Sequence, residues 1–161
     1  MKQSEEEPVA HVELSLSGAF VPQARTPSEV EFVTSVERWT MTVAAADEPC
    51  LILGVDGTIL AVSPSASELL GLGKPAEALG RRLSTALHLI DFTAGGSRLE
   101  DPEAENIPPL LALRSERLAR GLMRVVPGED EAPLTVDAVS TPLMAGDRVG
   151  GTLTFLSPVR Y

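Results

Sequence analysis

Hydrophobic positions fall into two regimes along this chain, helical spacing before residue 46 and short strand-like runs after residue 50. In the first regime Phe32, Val36, Trp39 and Val43 share one helical stripe, which Val30 and Val33 widen. Thr26-Pro27-Ser28-Glu29 precedes it as a start signal. Thr26 can cap, Pro27 suits the first helical position, and Glu29 can return a hydrogen bond to the cap. A helix is therefore expected over 27–46. Its apolar face needs a cover, either its own sheet or the same helix of a second chain.

From Cys50 to Val55 the run is continuously apolar, as in a central strand buried on both faces. Asp56-Gly57 supplies a tight turn because glycine accepts positive φ, and Thr58 to Val62 returns as a second strand. Ser63-Pro64-Ser65 opens a helix, with Ser65 and Glu68 as a further capping pair and Gly71 as its stop. Pro75 to Leu79 reads as one turn, Arg82 to Ile90 as a short helix, and Thr93 to Pro102 as a loop. Asn106 can cap a helix whose first turn holds Pro108 and Pro109 and whose apolar body is Leu110, Leu111 and Leu113. Gly121–Val126, Leu134–Met144 and Val149–Leu156 read as strands separated by turn-rich pieces. The pattern predicts an α+β fold, a five-stranded antiparallel sheet with helices on one face. Residues 1–26 read as an arm, with one alternating stretch at His11–Leu16.

The stretches ADEPCLILGVDGTILAVSPSASELLGLG, EALGRRL and LALRSERLARG, and the closing hairpin VDAVSTPLMAGDRVGGTLTFLSPV, together resemble a PAS domain over residues 46–158. The Leu-, Ala- and Arg-rich texture is similar to that of actinobacterial members. The resemblance implies a PAS fold with strand order 2-1-5-4-3 and a helical layer over one face, preceded here by an N-terminal amphipathic helix. It divides the chain into a flexible arm (1–26), a cap helix (27–46) and a PAS domain (47–161). It also implies sensing or protein–protein signalling rather than catalysis. Many members carry an asparagine after the second strand where this chain has Ser63, whose hydroxyl can cap the next helix with fewer hydrogen-bonding groups.

Composition narrows the picture. The 161 residues suit one domain with an extension, and 43% hydrophobic and 22% charged residues suit a folded chain. A formal charge of −10 repels phosphate backbones and argues against nucleic acid as a partner. One cysteine, Cys50, cannot close an internal disulfide, which fits a reducing, cytoplasmic location. The first residues lack the order of a signal peptide and no apolar run approaches a membrane span, so no membrane partner is expected.

Reactive groups are few. His88, the one histidine inside the domain, is absent from the later helix where haem-binding members place their ligand, so haem is disfavoured. Cys50 precedes the first strand's core and lacks the flavin-adduct motif, so flavin is disfavoured too, and a buried inert thiol is expected. No P-loop, G-x-S-x-G elbow, dinucleotide fingerprint or His-based metal pair is present, so neither a catalytic residue nor a metal ligand is assigned. Arg114, Arg117, Arg120 and Arg124 concentrate positive charge and are candidates for an anionic ligand head or an acidic partner, or else form a solvated rim.

The resemblance also implies a cavity between sheet and helix. Its walls would be Leu87, Ile90, Phe92, Ile107, Leu110, Leu111, Leu113, Met123, Leu153 and Phe155, a set that suits a largely apolar, fatty-acid-like guest or simply packs solid. The leading expectation is a regulatory PAS module that signals through a protein partner as a homodimer joined by Phe32, Val36, Trp39 and Val43. A receptor for a small apolar metabolite and a ligand-independent scaffold are the alternatives. The cofactor is left unknown.

Overall fold

The computed structural model describes residues 29–160, with side chains from residue 36 onward. The expected arm, Thr26, Pro27 and the side chain of Phe32 lie outside the described residues. The element order is α1 (Glu29–Ala44), β1 (Cys50–Gly54), β2 (Ile59–Val62), α2 (Pro64–Leu70), α3 (Pro75–Ala78), α4 (Leu83–Ala86), β3 (Leu89–Ile90), α5 (Asp101–Ala104), α6 (Pro108–Ser115), β4 (Ala119–Val125), β5 (Leu134–Ala145) and β6 (Arg148–Pro158).

Strand β1 occupies the centre of its neighbourhood, as its unbroken apolar run requires. All five residues are buried, and the strand pairs antiparallel with β2 on one side and β6 on the other. The β1–β2 turn closes through Gly57, at φ +79°, while the Asp56 carboxylate accepts a hydrogen bond from the Thr58 N–H at 3.1 Å. The full sheet runs β2-β1-β6-β5-β4-β3. This is the expected order with one strand added at the edge.

The extra strand corrects the helix expected over Arg82–Ile90. Only Leu83–Ala86 is helical, because Leu83, Leu87 and Leu89 all reach the core, which a continuing helix could not arrange. The extended backbone after Leu87 instead pairs with β4, Leu89 opposite Val125. Two smaller corrections concern capping. Ile107, not Asn106, stands at the N-cap of α6. Pro108 and Pro109 remove N–H donors from the first turn, so a capping side chain there would find little to accept. The Asn106 amide instead takes a hydrogen bond from Arg114 at 2.9 Å and donates to the Pro102 carbonyl at 3.3 Å. In addition, α5 occupies the end of the segment expected to be a loop.

The corner after β2 is held by one hydroxyl. Ser63 Oγ accepts from Ala66 N–H at 3.3 Å, which caps α2, and from Cys50 N–H at 3.0 Å; it donates to the Glu48 carbonyl at 2.8 Å. Ser65 donates to the Asp47 carbonyl at 2.8 Å rather than forming the expected capping pair with Glu68. Gly71 ends α2 at φ +69°. A Cβ there would lie 2.0 Å from the Pro127 carbonyl oxygen, so this turn is pressed against the β4–β5 connection.

Two apolar clusters sit on opposite faces of the sheet. The inner one joins Leu51, Leu53, Ile59, Val62, Leu83, Leu87, Ile107, Leu110, Met123, Val125 and Val136 beneath the helices. The outer one joins Val43 of α1 to Cys50, Ile52, Ala61 and Leu153. Of the two covers open to α1, its own sheet therefore takes Val43, while Trp39 on the same stripe stays 43% exposed.

Replacing Ser63 by alanine is expected to lower stability by about 2 kcal/mol in urea denaturation, combining a lost cap with a buried Cys50 N–H left unpaired; a loss under about 0.5 kcal/mol would contradict this role. Gly71→Ala and Gly80→Ala form a contrast. Both sites have positive φ, but a Cβ on Gly80 meets nothing within 4 Å. Gly80→Ala should cost about 1–2 kcal/mol, and Gly71→Ala should cost more because its backbone neighbour must also move. Equal losses would refute the close approach.

Candidate functional site

The register of β6 decides which expected cavity residues meet. Leu51 stands opposite Thr154 and Leu53 opposite Thr152, and directly opposed side chains share a sheet face. Leu51 and Leu53 belong to the inner cluster, so Thr152 and Thr154 point inward with them. Leu153 and Phe155 point outward. This corrects their placement in the expected cavity wall. Leu153 packs under α1, and Phe155 is 47% exposed on the far face. Alternation of apolar and polar residues misleads here because α1 covers part of the outer face.

The remaining wall residues separate further. Leu87, Ile107, Leu110 and Met123 meet in the inner cluster. Leu111 and Leu113 are half-buried on α6. Ile90, opposite Arg124, faces the other side of the sheet, with its Cδ1 against the Gly96 turn. Phe92 is exposed in the following loop. The inner face instead carries a polar group that the alternation hid, consisting of Ser140, Thr152 and Thr154, all fully buried. Ser140 and Thr154 share a hydroxyl–hydroxyl hydrogen bond at 2.8 Å, and Thr152 donates to the Pro109 carbonyl of α6 at 3.4 Å.

The four arginines do not form one patch. Arg120 lies on the outer face of β4 and forks onto Asp137 of β5, Nη2 to Oδ2 at 2.6 Å and Nε to Oδ1 at 3.2 Å. Arg124 donates to the carbonyls of Asp91 and Thr93 at 3.3 and 3.2 Å, tying down the loop after β3. In that loop the Asp91 carboxylate accepts from the N–H groups of Thr93 and Ser97 and from the Thr93 hydroxyl, which holds it below the ordinary carboxylate range. Arg117 is exposed beyond α6. Arg114 turns to a cleft on the other side of the molecule.

That cleft, of about 280 Å³, is lined by Val55, Asp56 and Gly57 of the β1–β2 turn, Arg82 and Ser84 of α4 and its cap, Glu105 after α5, and Leu110, Leu113 and Arg114 of α6. Arg82 is fixed there by its backbone, which bridges to Thr58, while the following Leu83 N–H donates to the Gly57 carbonyl at 3.0 Å. Arg82 is far from Arg114 in the sequence, and this pairing brings it to the same cleft. A second, more apolar groove of about 360 Å³ runs between α1, β2 and α3, past Met41, Leu60 and Leu79.

Cys50 is buried with its thiol pushed up by desolvation, so it is a poor nucleophile. His88 is exposed. Among the described residues, no group of three or more His, Cys, Asp or Glu side chains could hold a metal ion. No described helix is long and apolar enough to cross a membrane.

No protein-family model matches the sequence, and no curated protein matches it. Solved structures do. The chain is similar to the PAS domain of a protein from Colwellia psychrerythraea at 15% identity, TM-score 0.54, covering 77% of this chain and 96% of that one. It is also similar to the Rhodobacter sphaeroides LOV protein at 12% identity, TM-score 0.56, covering 78% of this chain and 67% of that one. The LOV domain of a blue-light activated histidine kinase from Erythrobacter litoralis matches at 12% identity, TM-score 0.54, covering 72% and 99%. At these identities the likeness carries the fold, and the fold is that of PAS domains.

The Arg120–Asp137 pair makes one titration measurable. The guanidinium holds the Asp137 carboxyl below its ordinary value, so the interaction is complete at neutral pH and is lost as pH falls through the lowered value. A carboxyl-detected NMR titration should show the Asp137 midpoint rise in Arg120→Gln. An unchanged midpoint would mean that the fork does not persist in solution.

Proposed function

We propose that this PAS-fold chain is a non-catalytic regulatory module of the cytoplasm, which signals through protein contact and works as a homodimer. The observation that carries this reading is the outer face of the sheet. Val139 and Phe155 stand directly opposite one another there, with Leu122 one strand away opposite Asp137, and Leu122 and Phe155 are 51% and 47% exposed. Trp39 adds a further half-exposed aromatic on α1. Half-exposed large apolar side chains on one face, with the Arg120–Asp137 fork running between Leu122 and Val139, combine the aromatic and arginine groups in which protein interfaces are enriched.

This reading changes which residues make the contact. Val43 is already spent on the chain's own sheet, so the dimer face would combine Trp39 and the upper stripe of α1 with Leu122, Val139 and Phe155. A second copy suits the face because an isologous contact pairs such a patch with itself. The packing of Leu87, Ile107, Leu110 and Met123 into one cluster supports contact signalling over a fatty-acid-like guest in the interior. A partner signalling protein would receive the output.

Sedimentation velocity tests the dimer. The wild type should sediment as a dimer at tens of micromolar, and the Leu122→Glu/Phe155→Glu double variant as a monomer with an unchanged far-ultraviolet circular dichroism spectrum. A monomeric wild type, or a double variant that stays dimeric, would remove the proposal.

A further inference from the structure

The cleft between the β1–β2 turn and α6 collects four charges from four separate elements: Asp56 from the turn, Arg82 from the cap of α4, Glu105 after α5 and Arg114 from the last turn of α6. None of them closes on another. Among the described residues the one ion pair is Arg120–Asp137, on the opposite face. Arg114 spends one hydrogen bond on Asn106, which orients its guanidinium without neutralising it. Arg82 makes no side-chain hydrogen bond among the described residues; the Asp56 carboxyl is held low mainly by the Thr58 hydroxyl and N–H, with a lesser contribution from the Arg82 charge. Val55, Leu110 and Leu113 add apolar lining to the cleft, and Ser84 lines it as well.

We infer that this cleft binds a small zwitterion, a free α-amino acid with an apolar side chain. A ligand carboxylate fits the two guanidinium groups, which favour planar, forked anion recognition. Its ammonium fits the carboxylates of Glu105 and Asp56, and its side chain fits the leucine and valine lining. A dianion would leave both carboxylates facing like charge, and a fatty acid would leave Glu105 without a partner, so the charge balance selects the zwitterion. The volume lies near the small end of ligand sites, in keeping with a guest of amino-acid size. Because the lining comes from the turn of the central hairpin and from α6, an occupied cleft would clamp the helical layer to the strand on which the sheet is built. The inference concerns a different surface from the proposed dimer contact and does not depend on it.

Isothermal titration calorimetry of the whole chain with L-leucine, L-valine and L-methionine tests it. Binding of at least one of them is expected at a Kd of about 1 mM or tighter. For L-leucine, 4-methylpentanoate and isopentylamine, which each lack one charge, should bind at least about ten-fold more weakly. Arg82→Gln and Arg114→Gln should each weaken binding by a similar factor, whereas Arg117→Gln, outside the cleft, should not. Glu105→Gln should narrow the gap between leucine and 4-methylpentanoate. Failure of all three amino acids to bind at about 10 mM, equal binding of the two one-charge analogues and leucine, or affinities insensitive to Arg82 and Arg114 would each overturn the inference.

Discussion

Strand β1 is the constraint on which the remainder of the protein depends. It is paired along both edges and covered on both faces, so its five residues fix the sheet's register in two directions at once. Leu51 and Leu53 commit one face to the helical layer, and Cys50 and Ile52 commit the other to α1. Slipping the strand by one residue would exchange these sets. The Ser63 hydroxyl then locks the end of the hairpin to the start of β1, so the corner, the first short helix and the central strand form one hydrogen-bonded unit.

A large part of this was legible in the order of residues. The continuous run from Cys50, the Asp56-Gly57 turn and the proline-led helix ended by Gly71 are local signals that agree with the global fold, and they appear where expected. The α+β class follows from them, and the sheet order from the resemblance to PAS domains, apart from β3, whose two residues are too short to leave a pattern. What was not legible was which way β6 faces. In Thr152-Leu153-Thr154-Phe155-Leu156 the leucine and phenylalanine look like the buried set. Yet the threonines occupy the interior, because hydrogen bonds to Ser140 and to the α6 backbone satisfy their hydroxyls. Alternation reports a wet face only when one face is wet.

The same reversal shapes the functional reading. With Thr152 and Thr154 turned inward, the interior is a satisfied core. The outer face keeps Phe155 beside Val139 and Leu122, and the arginines expected to act together are divided among a surface fork, a loop clamp and a cleft. That cleft could not be assembled from sequence spacing. Arg82 and Arg114 are far apart in the chain and line one cleft because the Arg82 backbone bridges to Thr58 of the central hairpin. Recognition by contact on one face and by charge in a cleft on the other would then both report to β1, the first through Phe155 opposite Cys50 and the second through the turn that follows the strand.

The orientation of β6 is the point to measure. Methyl-resolved NOE spectroscopy reads it directly, since opposed side chains on one face bring their Cβ atoms to about 4.5–5.5 Å. The Thr154 methyl is predicted to show cross-peaks to Leu51, and the Phe155 ring to Val139 and Cys50. Cross-peaks from the Phe155 ring to Leu87 or Leu110, with Thr154 silent toward Leu51, would contradict the two-faced sheet and with it the proposed contact surface.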